Sequence, residues 1–124
     1  LIYFPFHLME KVEDEELFVK AWMGLLKNEV EIVSSSTIED AERIVGGSLD
    51  FALMVVDCCV PGNKPNTQAL VRLIREKGFK EPIIAKSTDS SFTTALLNDG
   101  ASHRAAPWEV PPLIRNLLFG TAPR

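Results

Sequence analysis

Apolar positions fall along this chain in two rhythms, helical stripes and short solid runs. Leu17, Phe18, Ala21, Trp22, Leu25 and Leu26 repeat at i, i+1, i+4 and i+5, one apolar stripe on a helix of roughly residues 15–27. Val30, Ile32 and Val33 make a short strand. Ser36 opens the string S-T-I-E, a capping box in which Glu39 reaches back to the Ser36 N–H. The helix that follows carries Ile38, Ala41, Ile44 and Val45 inward and is predicted to exit through positive φ at Gly46-Gly47. Phe51-Ala52-Leu53-Met54-Val55-Val56 is apolar throughout and stops at Asp57. A strand apolar on both faces belongs in the centre of a parallel sheet, where helices cover both sides.

Pro61-Gly62-Asn63 reads as a turn. Leu70, Val71, Leu73 and Ile74 mark a third helix closed by Lys77-Gly78. Pro82-Ile83-Ile84-Ala85 is another buried strand, followed by polar Lys86-Ser87-Thr88-Asp89-Ser90. Phe92, Ala95 and Leu96 give a fourth helix ending near Asp99-Gly100. A weak segment at 101–106 precedes a last helix opened by Pro111-Pro112, with Leu113, Ile114, Leu117 and Leu118 inward. Two segments compete for the first strand. Phe6 to Val12 puts Glu10 and Lys11 where a buried strand disfavours charge, and Leu1 to Phe6 leaves a six-residue gap before Glu13. Strands alternating with helices at this spacing imply right-handed βαβ units and an α/β fold with a parallel sheet.

The chain has 124 residues, the size of one domain spanning 1–124 with a core that needs no staples. Seventeen acidic residues against 13 basic ones give a net charge of −4; such a surface repels phosphate backbones and argues against direct nucleic-acid binding. Cys58 and Cys59 are adjacent, so a disulfide between them is strained and no metal-ligand spacing is met. They read as two small buried residues in a reducing compartment. No apolar run approaches the ~20 residues of a membrane span. The Leu1 to Phe6 stretch lacks the basic region and cleavage site of a signal peptide. The expectation is a cytoplasmic protein that contacts no membrane.

In parallel sheets the functional crevice lies beyond the carboxyl ends of the strands. The polar residues expected there are Glu13 and Asp14 after the first strand, Asp57 after the third, and Ser87 and Thr88 after the fourth. Three carboxylates at one rim disfavour ionisation unless a cation neutralises them. A few hard oxygen ligands, with water completing the shell, suit Mg²⁺. An Asp beside Mg²⁺ at a strand end can attack a phosphoryl group and form an aspartyl phosphate, and Ser87 is placed to bond the phosphoryl oxygens. Plainer roles compete: Asp57 as a turn cap, Glu13 and Asp14 as favourable charge at a helix N-terminus, and the hydroxyls of 87–91 as helix caps. His7 and His103 read as ordinary polar residues, Trp22 as core, and Trp108 as a packing residue.

Val12-Glu13-Asp14-Glu15-Glu16-Leu17, Leu53 through Gly62 and Pro82 through Thr88, with Gly100-Ala101 and Pro107-Trp108 beyond them, together resemble the receiver domain of two-component response regulators over about residues 7–119. The resemblance implies a flavodoxin-like (βα)5 three-layer sandwich with five parallel strands in order 2-1-3-4-5. It implies Mg²⁺-dependent transfer of a phosphoryl group from a histidine kinase or phosphotransfer protein onto Asp57. Glu13, Asp14, Asp57 and the backbone carbonyl of Cys59 would hold the metal, and Ser87 would be the switch hydroxyl. The helix 4–strand 5–helix 5 face would then change its partner or homodimer contacts.

The sequence departs from the family pattern at the fifth strand. The lysine that meets the phosphoryl group is replaced by Ala106, and the family's aromatic position falls among Ser102, His103 and Arg104. Arg104 or Lys86 is the candidate substitute for that lysine, although strand alternation makes the direction of Lys86 unfavourable if Ser87 faces the site. A degenerate receiver, binding partners without phosphorylation, is therefore the rival reading; no conventional enzyme is implied beyond self-phosphorylation at Asp57. A flavodoxin-like cofactor protein fits poorly, because acid occupies the place of a flavin-phosphate loop. A hydrolase lacks its G-x-S-x-G elbow.

Overall fold

The structure, a computed structural model, describes residues 2–3, 7–8, 10–11, 31–32, 37–59 and 66–119. In chain order the described elements are β1 (Ile2–Tyr3), β2 (His7–Leu8), β3 (Glu10–Lys11), β4 (Glu31–Ile32), α1 (Ile38–Gly47), β5 (Phe51–Asp57), α2 (Gln68–Glu76), β6 (Ile83–Lys86), α3 (Ser90–Asn98), β7 (His103–Ala105), a 3₁₀ turn (Pro107–Glu109) and α4 (Val110–Phe119). The amphipathic stripe at 15–27, with Trp22, lies outside the described residues, as does the turn at Pro61-Gly62-Asn63.

β5 is the axis of the sheet. It pairs in parallel with β3 through Glu10↔Val55 and Lys11↔Val56, and with β6 through four rungs from Met54↔Ile83 to Asp57↔Lys86. β6 pairs in parallel with β7, and β2 pairs in parallel with β4. β2 and β3 are separated by one residue and face β4 and β5 respectively. The sheet runs in the order β4-β2-β1-β5-β6-β7, with β3 pairing β5 off that path; leaving β1 aside, the parallel strands follow the order 2-1-3-4-5 of the flavodoxin-like fold. Of the two candidate first strands, the Phe6 to Val12 segment takes that central place. The ladder uses backbone groups of Glu10 and Lys11, and backbone pairing is indifferent to side-chain charge.

The expectation of an all-parallel sheet is corrected at its start. β1 is antiparallel to both β2 and β5, with Ile2↔Leu53 and Tyr3↔Phe51. The reason is geometric. β3 reaches only the last part of β5, so the backbone groups near Phe51 and Leu53 need another partner. The strand-forming pair Ile2-Tyr3 supplies it, returned by a connection of hairpin length.

Every side chain of β5 from Phe51 to Val56 is buried, as its apolar run requires, and from Leu53 onward its alternating positions face two separate cores. Met54 and Val56, with Ile83 and Ala85 of β6, pack under Ala41 and Val45 of α1, Leu70, Val71 and Ile74 of α2, and Leu96 of α3. Leu53 and Val55, with Ile84 and Ala105, pack under Val110 and Ile114 of α4. Helices on both faces make the three-layer sandwich. Each fully buried aliphatic side chain contributes about 1.5–3 kcal/mol. No helix among the described residues is long and apolar enough to cross a membrane.

Local signals moved by a residue or two. The N-cap of α1 is Thr37, whose Oγ1 accepts from the Asp40 N–H at 3.0 Å; the S-T-I-E box anchored on Ser36 is corrected to this one-residue shift, which serves the same orphan amides. Gly46 and Gly47 belong to α1, which exits into an extended Ser48. Positive φ occurs instead at Gly78 and Gly100, after α2 and α3. Trp108 is 72 % exposed, which corrects its reading as a packing residue: the 3₁₀ turn begun by Pro107 leaves it on the surface.

Candidate phosphoacceptor site at the strand ends

Asp57 terminates β5 at the carboxyl rim of the sheet, with its side chain largely buried. Its Oδ1 accepts the Cys59 N–H at 3.0 Å, and its Oδ2 lies 3.8 Å from Lys86 Nζ. The turn beyond it is fixed from below. Thr67, fully buried before α2, donates its hydroxyl to the carbonyl of Asp57 at 2.8 Å and approaches that of Cys58 at 3.3 Å. The Asn66 N–H also bonds the Cys58 carbonyl. Sequence reasoning passed over Thr67; an isolated threonine ahead of a helix announces an N-cap, and here its hydroxyl points back to the strand end.

The strand ends are stitched to one another. Cys58 N–H donates to the Lys86 carbonyl and Ser87 N–H to the Ala105 carbonyl, both at 3.1 Å. Ser87 thus stands one rung beyond Asp57 on the neighbouring strand. Its Oγ accepts the Asp89 N–H at 3.0 Å, and an accepting hydroxyl still carries its own proton to donate. Thr88 is exposed. Asp89 caps α3: the Ser91 hydroxyl and N–H hold its carboxyl below the usual range, working against a small desolvation effect.

Glu13 and Asp14 lie outside the described residues. The backbone nevertheless sets where the chain enters that segment. Lys11 is in register with Val56, so β3 ends beside the tip of β5. Among the described residues, no group of three or more His, Cys, Asp or Glu side chains forms a metal site. In donor chemistry the Asp57 carboxylate is a hard oxygen ligand suited to Mg²⁺, and Cys59 follows in the same turn.

The cysteines are both free. Cys58 is buried as expected, whereas Cys59 is only partly so. Burial, and secondarily the charge of Asp57, pushes the Cys58 thiol up to about 12, so it carries no thiolate chemistry at neutral pH.

The fifth-strand departure acquires a shape. Ala106 follows β7 directly and donates its N–H to Glu109 Oε1 at 2.8 Å, closing the 3₁₀ turn at Pro107. Arg104 points away from Asp57 and donates to Thr94 Oγ1 on α3 at 3.2 Å. Lys86, the candidate substitute whose direction strand alternation made unfavourable, is buried and faces Asp57. Between these elements a cleft of about 430 Å³ is lined by Ser87, Thr88, Ser90, Thr93, Arg104 and Ala106, among others.

Comparison with solved structures follows this geometry. A two-component response regulator of the LuxR family from Aurantimonas sp. SI85-9A1 superposes with a TM-score of 0.69 at 21% identity, covering 92% of this chain and 85% of the other. The chain has the receiver-domain fold. The beryllofluoride-activated NtrC4 receiver domain dimer matches with a TM-score of 0.72 at 14% identity over 92% and 94% of the two chains. The receiver domain of the sensor histidine kinase PA1611 from Pseudomonas aeruginosa PAO1, with a magnesium ion coordinated in its active-site cleft, matches at 0.72 and 15% identity over 90% and 95%. No protein-family model and no curated protein matches the sequence.

Proposed function

We propose that this receiver-fold chain accepts a phosphoryl group on Asp57 from a histidine kinase or phosphotransfer protein, in a cytoplasmic two-component relay. The observation that carries the reading is the setting of that carboxylate. It closes the central strand, one oxygen is oriented by the Cys59 amide, and the other faces a buried ammonium. A carboxylate so held is pre-aimed for attack, and orientation is a large part of what catalysis needs. Glu13, Asp14, Asp57 and the Cys59 carbonyl are the groups proposed to hold Mg²⁺, which when bound supplies positive charge for the phosphoryl oxygens. Ser87 is proposed as the switch hydroxyl, and the α3–β7–α4 face, carrying Trp108, as the surface through which partners or a second copy respond.

A phosphorylation-independent pseudo-receiver is the second reading, and Ala106 in the lysine position favours it. Incubation with Mg²⁺ and acetyl phosphate, read by intact mass, separates the two. The expected result is the gain of one phosphoryl group, abolished in D57N. An unchanged mass, or a gain that persists in D57N, overturns the phosphoacceptor reading.

A further inference from the structure

Among the described residues, Lys86 is the only charged side chain in the buried class, at 2 % exposure. A buried ammonium costs several kcal/mol in desolvation unless an opposite charge meets it, so its presence at the end of an apolar strand calls for a reason. Its neighbours across the sheet supply one. Lys86 is in register with Asp57 on β5 and with Ala105 on β7. Residues in register on parallel strands share a face of the sheet, and Nζ lies 3.8 Å from Asp57 Oδ2. Arg104, one residue earlier on β7, is in register with Ala85 and bonds α3 instead.

We infer that Lys86 meets the phosphoryl oxygens on Asp57, so that the cation enters from the end of β6 and not from Ala106 beyond β7. The inference rests on the phosphoacceptor reading above and deepens it. In the step concerned, an Asp57 carboxylate oxygen attacks phosphorus and forms a new P–O bond. The P–O bond to the donor breaks, and the donor leaves as acetate with the bonding electron pair when acetyl phosphate is used. Lys86 remains an ammonium throughout; no proton is transferred to or from it. Its positive charge stands where negative charge gathers on the transferring group, which is the arrangement that lowers such a barrier. The small side chain of Ala105, in register with Lys86, suits a lysine stem lying on that face.

The test compares wild type, K86M and K86M/A106K for the rate of mass gain with Mg²⁺ and acetyl phosphate. K86M keeps most of the volume and loses the charge, and its rate is expected to fall about 100-fold. K86M/A106K, which returns a lysine to the other strand end, is expected to recover most of the lost rate, a rescue that a purely structural lysine would not give. Mg²⁺ titration of K86M is expected to give an affinity equal to or above that of wild type, because a competing cation has gone. Labelling of folded K86M at the wild-type rate overturns the inference while leaving Asp57 as the acceptor; wild type that takes no label overturns both. If K86M does not fold, the wild-type chain decides. With lysine ammonium groups observed by NMR, Mg²⁺ and beryllofluoride together should shift the Lys86 signal, and an unmoved signal overturns the assignment.

Discussion

Arg75 and Gly100 hold each other in place across the α2–α3 boundary. Arg75 Nε donates to the Gly100 carbonyl at 2.8 Å, and a methyl group placed on Gly100 would lie 2.8 Å from Arg75 Cγ. Gly100 has φ of 127°, which side-chain-bearing residues rarely adopt. The same guanidinium donates to the carbonyls of Phe79 and Glu81, and burial lowers its pKa from the ordinary arginine value. G100A is therefore expected to lose about 1–3 kcal/mol from backbone strain alone. In an R75A background the added loss should be smaller, because the close contact is gone. Urea denaturation of the four proteins measures both, and equal losses in the two backgrounds contradict the contact.

The Lys86–Asp57 pair makes a second, purely thermodynamic prediction. D57N removes one counter-charge from a buried ammonium and is expected to cost about 1–3 kcal/mol. K86M should cost less, since a well-packed apolar chain avoids the desolvation that the charge incurs. Combining them should give a smaller loss than the sum of the single changes, and strict additivity in a double-mutant cycle would deny the coupling.

Acid sensitivity follows from Asp89. Its folded pKa is depressed, chiefly by the Ser91 hydroxyl and then the Ser91 amide. The stabilisation is complete above the ordinary carboxyl range, about pH 4, and is lost as pH falls through the depressed value, because the unfolded state takes up the proton first. D89N should therefore flatten the fall in stability below about pH 4 relative to wild type. An identical acid limb in the two proteins, followed by unfolding in denaturant, contradicts the assignment.

Thiol chemistry should distinguish adjacent residues. With its thiol pushed up to about 12 and its side chain buried, Cys58 is expected to resist iodoacetamide in the native chain near pH 8. Cys59, partly exposed, should alkylate first, and Cys58 only on unfolding. Peptide mapping reads the order; equal native labelling would mean that the strand end opens.

The fold was legible because its signals are redundant. A solid apolar run such as Phe51–Val56 has one good use, and it became the central strand with both faces covered. Helices survived errors in their caps: the box centred on Ser36 moved to Thr37, yet Ala41 and Val45 still face the core. The antiparallel β1 was not legible, since it answers a vacancy on β5 that depends on how far β3 reaches. At the candidate site, Asp57 was singled out from its place after the apolar run, and it does close the central strand. Thr67 was missed, and the direction of Lys86 misjudged, because each gains meaning only from the register of neighbouring strands. The Asp57↔Lys86 rung places Lys86 beside the carboxylate, and Ser87 follows beyond that last rung, where β6 has ended.

The division of the core into two compartments by β5 has a consequence for anything that happens at its tip. Counting by twos from Leu53 and Val55, the carboxylate belongs to the side roofed by α4, whereas the adjacent Cys58 packs with α1, α2 and α3. The sheet thus behaves as a bulkhead: a disturbance at residue 57 borders the C-terminal helix and the exposed indole at its entrance, and it reaches the helices behind the partition only through the strand tips, where Thr67 ahead of α2 holds the Asp57 carbonyl and Ser87 leads into α3.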